Sequence, residues 1–185
     1  MEFLLALWLP ILLSAGAVWI LSNLAWIALP HHRNDFVRLP DEDAFAEFVR
    51  RSHIPPGNYL FPDFRGREAM QSEKVAQAIE HGPVGHLSVW RTPLTMGSRL
   101  VGTLVVHLVV STLIAYLTRV ALPGAEPFAR VFQIAATAGV LAYCFSSIPN
   151  ALWFGAYPRA IVAAFVDGIV YGLITGVLFA WNWPH

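Results

Sequence analysis

Apolar residues dominate four long stretches of the chain, and one polar stretch separates the first of them from the second. Phe3 to Pro30 has no ionisable side chain, and Leu100 to Thr118, bounded by Arg99 and Arg119, holds only His107. Val131 to Pro158 has none, and Ala160 to Pro184 holds only Asp167. Each meets the requirement of about 20 apolar residues for crossing about 30 Å of hydrocarbon. In lipid every backbone N–H must find a partner within its own segment, so all four are expected as helices. The first begins Met1-Glu2 with no basic residue and outruns the apolar core of a secretory signal, so it reads as a retained helix.

The polar stretch carries its own punctuation. Pro40-Asp41-Glu42-Asp43 opens a helix that runs to about Ser52, with its acids at the positive end of the helix dipole. Ala44, Phe45, Phe48 and Val49 give it one apolar face. Pro55-Pro56-Gly57 predicts a turn, Asn58 to Phe61 a short strand, and Met70 to His81 a second helix stopped by Gly82-Pro83. His86 to Trp90 alternates and pairs with the first strand. The expected fold is an all-α membrane protein: four transmembrane helices with a small α+β insert between helices 1 and 2. Residues 1–30 are the first helix, 31–97 the insert, and 98–185 helices 2 to 4.

Composition narrows the class. Of 185 residues, 56% are hydrophobic and 13% charged, with a mean hydropathy of +0.54; a soluble domain carries about 25% charged residues. Zero net charge excludes a nucleic-acid partner, and a single Cys excludes a disulfide scaffold. Loop 31–99 holds nine of the twelve basic residues. The positive-inside rule therefore predicts a multi-pass protein of the bacterial inner (cytoplasmic) membrane, loop 31–99 cytoplasmic and both termini outside. Trp8, Trp153, Trp181 and Trp183 fall near the expected interfaces.

Polar residues inside hydrocarbon carry most of the information about function. Asp167 and His107 each lie eight residues past an arginine, which puts both about 12 Å inside the cytoplasmic edge. Thr103, His107 and Ser111 form one stripe on the second helix. Tyr143, Ser146, Ser147 and Asn150 form another on the third, with Asn23 able to join from the first. The expected intramembrane seam is thus Asp167, His107, Tyr143, Thr103, Ser111, Ser147 and Asn150. It serves either as a proton or ion relay or as a structural pairing of Asp167 with His107, Tyr143 or Tyr171, and the structural role is favoured. Gly168, Gly172 and Gly176 form a helix-packing face, turned to the third helix or to another chain.

Familiar reaction chemistry is missing. The sequence has no Cys-x-x-Cys-His, no phosphate-binding glycine loop, no His-Glu-x-x-His and no Gly-x-Ser-x-Gly. No catalytic residue, cofactor or metal is expected. His31-His32, with Asp35 nearby, reads as interfacial capping rather than a metal site, for want of further ligands. His53, Asp63, His81 and His86 read as solvated surface, and Cys144 as a small buried apolar residue.

Six motifs recur together: Leu29-Pro30-His31-His32, Leu39-Pro40-Asp41-Glu42-Asp43-Ala44, Pro56-Gly57-Asn58-Tyr59, Gly82-Pro83-Val84-Gly85, Ile148-Pro149-Asn150-Ala151-Leu152-Trp153 and Asp167-Gly168-Ile169-Val170-Tyr171-Gly172. In these the chain resembles an uncharacterised family of small four-helix bacterial integral membrane proteins. The resemblance implies four membrane helices with the long loop after the first, and supplies no activity. The expected function is a non-enzymatic membrane protein, an accessory subunit or homo-oligomer packed through the glycine face. Its partners are the lipid bilayer and other membrane subunits or itself. The alternative is a small proton or ion channel or transporter using the Asp/His seam.

Overall fold

The structure is a computed structural model that describes residues 2–91 and 94–184; Met1, part of the opening that argued against a cleaved signal, lies outside them. Two units form, one holding the four long helices and the other spanning Val37–Thr95. In chain order the elements are α1 (Glu2–Ile27), α2 (Glu42–Arg51), β1 (Gly57–Phe61), α3 (Arg67–Met70), α4 (Glu73–His81), β2 (Gly85–Val89), α5 (Met96–Ala121), α6 (Phe128–Phe145), α7 (Ile148–Trp153) and α8 (Pro158–Trp181). A 3-10 turn, Pro30–His32, follows α1.

Four helices are long and apolar enough to cross a membrane, α6 and α7 together making the third span. Their outward faces are rows of large apolar side chains, such as Val101, Val105, Val109, Leu113 and Leu117 on α5. Such a surface is stable only when something other than water covers it. Pro10 lies inside α1 and lacks the N–H that would bond back one turn, and the helix is broken at Leu7 (φ −115°, ψ 15°).

Helices α1 and α5 pack antiparallel, as do α6 and α8, and α1–α8 and α5–α6 contacts close the bundle. Near one end an apolar core joins Leu7, Ile11, Ile114, Val131 and Phe179, with Trp183 donating its indole N–H to the Gly124 carbonyl at 3.1 Å. The glycine face is used inside the chain. A Cβ on Gly172 would come within 2.6 Å of the Val140 backbone nitrogen, one on Gly176 within 2.6 Å of Ala136 Cβ, and one on Gly168 within 2.7 Å of Cys144 Sγ. These glycines let α6 and α8 touch backbone to backbone, which supplies the packing that lipid cannot. The face has no room left for a second copy.

The third span differs from its expected form. Helix α6 stops at Phe145, Ser146 and Ser147 bend, and α7 starts a new short helix at Ile148. Pro149 explains the break, because it has no N–H to bond the Phe145 carbonyl and its ring crowds that carbonyl. The insert keeps its predicted order with one refinement: short α3 precedes α4, so the second helix starts at Glu73 instead of Met70. Asp41 caps α2 by accepting the Ala44 N–H at 2.9 Å. Strands β1 and β2 pair antiparallel, Tyr59 opposite Leu87. Neither α2 nor α4 buries any residue.

Candidate functional site

Helix α1 ends on carbonyl bonds to Leu24, and Pro30 then sets the backbone for a tight turn that presents two imidazoles. Both face Asp167, on the second turn and a half of α8. His31 Nε2 lies 3.1 and 3.2 Å from the two Asp167 oxygens, and His32 Nε2 lies 2.9 Å from Oδ2. On its far side His32 Nδ1 meets Asp35 Oδ2 at 2.6 Å, and Arg159 Nη2 donates to the other Asp35 oxygen at 3.3 Å. The Trp26 indole lies parallel to the His32 ring, with centroids 4.2 Å apart. His31, His32, Asp35, Arg159 and Asp167 therefore form one connected cluster from two separate parts of the chain, the turn after α1 and helix α8.

The electrostatics follow from the inventory. The side chains of His32, Asp35 and Asp167 are 3%, 7% and 15% exposed, so water screens them little, whereas His31 keeps 33%. Two carboxylates against one guanidinium leave one negative charge when both imidazoles are neutral. A carboxylate only accepts hydrogen bonds, so His32 bridges Asp35 and Asp167 by hydrogen bonds only when both ring nitrogens carry protons. Burial of His32 opposes that charge, but the bonds to Asp35 and Asp167 and their charges outweigh it and raise its pKa above the ordinary value. The cluster is built to hold one positive charge between two carboxylates. One ring nitrogen each of His31 and His32 and a carboxylate oxygen of Asp167 lie within 4.8 Å of one another, the kind of donor set that can hold a metal.

A polar track leads inward from the cluster. Asp167, Tyr171 and Thr175 stand at i, i+4 and i+8 on α8, with the Tyr171 hydroxyl 3.5 Å from Asp167 Oδ2. Tyr143 of α6 meets Tyr171 edge-on at 6.0 Å and His107 of α5 at 5.9 Å between ring centroids. Among the described residues His107 Nδ1, Tyr143 Oη and Thr175 Oγ1 are buried without a well-formed hydrogen bond, the Tyr143 and Thr175 hydroxyls making only a weak pair with each other. One turn further along α5, Ser111 meets Ser14 of α1 at 2.6 Å, both fully buried.

The expected seam is thus only partly assembled. His107 and Tyr143 stand together, and Ser111 lies in the bundle centre. Asp167 pairs with His31 and His32 instead of His107, because the turn after α1 folds back onto α8. Thr103, Ser147 and Asn150 are exposed. Thr103 bonds the Leu100 carbonyl of its own helix, and the Pro149 break takes Ser147 and Asn150 off the Tyr143 face. Asn23 bonds the Trp19 carbonyl within α1 and does not join. Sequence reasoning missed the part played by His31, His32, Asp35 and Arg159. The available signal was an imidazole pair at the end of one span and a lone acid just inside another. Comparison with protein-family models, with curated proteins and with solved structures finds no match.

Proposed function

We propose that the protein is a non-enzymatic, multi-pass membrane protein that passes a small cation, in the simplest case a proton, along the track from the His–Asp cluster into the bundle. The observation that carries this reading is the line of buried polar atoms on His107, Tyr143 and Thr175, none of which makes a well-formed hydrogen bond. A bundle that served only as a scaffold gains nothing from polar atoms that cost energy when buried unpaired. Polar interior positions of this kind are where ordered water resides, and water joined to side-chain hydroxyls and imidazole carries protons.

The basic residues of loop 31–99 support an orientation with that loop in the cytoplasm of a bacterial cell and both termini outside. In this orientation the cluster is the cytoplasmic mouth of the track. The test is reconstitution into liposomes holding a pH-sensitive dye. Wild-type protein is expected to dissipate a proton gradient faster than protein-free liposomes, and Asp167→Asn to lose that flux while still assembling in detergent. Absence of flux from folded wild-type protein overturns the reading.

A second reading, an accessory subunit of a larger membrane assembly, is favoured by the insert. Its two longer helices bury nothing, and Phe45, Phe48 and Ile79 are 38%, 59% and 53% exposed. Extraction from native membranes in mild detergent tests it; a lone monomer with no stoichiometric companion counts against it. The homo-oligomer packed through glycines gains no support, since α6 already covers that face.

A further inference from the structure

We propose that His31, His32 and Asp167 form a binding site for one divalent first-row transition-metal ion, held in place by Asp35, Arg159 and Trp26. The expectation that the histidine pair has too few ligand neighbours rested on Asp35 alone; Asp167, 135 residues away from His32, supplies the third donor.

Geometry is the first argument. Metal–nitrogen and metal–oxygen bonds of about 2.0–2.1 Å at tetrahedral angles place ligand atoms about 3.3 Å apart. The nitrogen–oxygen separations here are 2.9, 3.1 and 3.2 Å. The imidazole nitrogens stand within 4.8 Å of each other, so closing all three donors on one ion needs a modest turn of the His31 ring, which has its exposed side free to move. Two imidazole Nε2 atoms aimed at one carboxylate are more than a proton-bridged pair requires, and they match a three-ligand site.

Support of the ring is the second argument. A ligating histidine characteristically gives its other N–H to a carboxylate, which fixes the tautomer and strengthens the donor. His32 does this at 2.6 Å to Asp35, whose other oxygen takes Arg159. The parallel Trp26 ring fixes the remaining rotation. Charge is the third: an ion that displaces the His32 Nε2 proton takes over the positive charge held between the two carboxylates, at side chains largely shut off from water. Selectivity follows from the donors. Two imidazoles and one carboxylate suit Zn2+, Co2+, Ni2+ or Cu2+, whereas Mg2+ and Ca2+ prefer all-oxygen shells. The partly exposed His31 side leaves an entry path and an open coordination position for water.

The test uses the full chain without a histidine tag, stripped with chelator in detergent, and titrated with Co2+. The expected result is one Co2+ per chain with visible d–d absorption, displaced by Zn2+ and not by Mg2+. His31→Ala and Asp167→Asn are expected to abolish the signal, and Asp35→Asn to weaken binding by about 10- to 100-fold at unchanged stoichiometry. His31→Cys is expected to restore binding with a new thiolate-to-cobalt charge-transfer band, a signature that a purely structural clasp cannot give. His81→Ala, on the insert surface, serves as the unaffected control. Wild-type protein that binds no Co2+ overturns the proposal, as does a cobalt signal that survives both His31→Ala and Asp167→Asn.

Discussion

Replacing Gly172 with alanine tests whether the α6–α8 contact is as close as described. The added methyl would sit 2.6 Å from the Val140 backbone nitrogen and 3.0 Å from the Gly139 carbonyl carbon. Neither neighbour is a side chain that can swing away, so the helices must separate. Overpacking of a tight contact costs about 1–3 kcal/mol. The protein carries its own reporter, since its single thiol, Cys144, is 1% exposed and lies on α6 against Gly168. When labelling requires transient opening of the α6–α8 contact, a loss of about 1–3 kcal/mol raises the maleimide labelling rate about 5- to 140-fold. Gly102→Ala is the control: a methyl there meets nothing within 4 Å, and alanine favours helix. It is expected to label Cys144 no faster than wild type. If Gly172→Ala also labels at the wild-type rate with an unchanged thermal midpoint, the close approach is not a feature of the folded protein.

Three further outcomes are expected. A double-mutant cycle of Ser14→Ala and Ser111→Ala, read by unfolding in detergent, should give a coupling of about 0.6 kcal/mol, and at most about 1.7 kcal/mol, typical of hydrogen bonds between membrane helices. In the insert, Arg65 holds the exposed Asp63 carboxyl down to about 2 through side-chain and backbone hydrogen bonds. This pair favours the folded turn above the ordinary aspartate pKa, and the contribution is lost as pH falls through about 2. Carbon-13 NMR of labelled aspartate should show that midpoint, and Arg65→Ala should move it up toward 3.8. Zn2+ added to the liposomes on the side of the cluster should slow proton flux in wild type, and the same Zn2+ should leave any residual flux of His31→Ala unchanged.

The spans and the insert were legible because their causes are local. Length and apolarity mark a membrane helix, and Asp41 and Gly82 mark the ends of α2 and α4 where side-chain capping and a left-handed residue (φ +71° at Gly82) require them. Spacing also marked the glycine face, but could not say which helix covered it. The break after Phe145 is marked in the sequence by Pro149 alone, because the apolar run continues through it. The His–Asp cluster was not legible, since it depends on a turn that folds His31 and His32 back against Asp167, and no periodicity reports the direction of a turn. Asp167 and His107 share a depth by residue count along their helices, and residue count carries no information on where a loop returns.

Because α1 and α5 lie antiparallel, with the Trp19 indole bonded to the Leu100 carbonyl at 3.0 Å, the chain leaves the bundle and re-enters it at neighbouring points. The 59 residues between Phe36 and Met96 are therefore a cassette spliced into a hairpin of two helices. Insertions, deletions or wholesale replacement within that cassette can alter the surface that the second unit presents while the four helices keep their register.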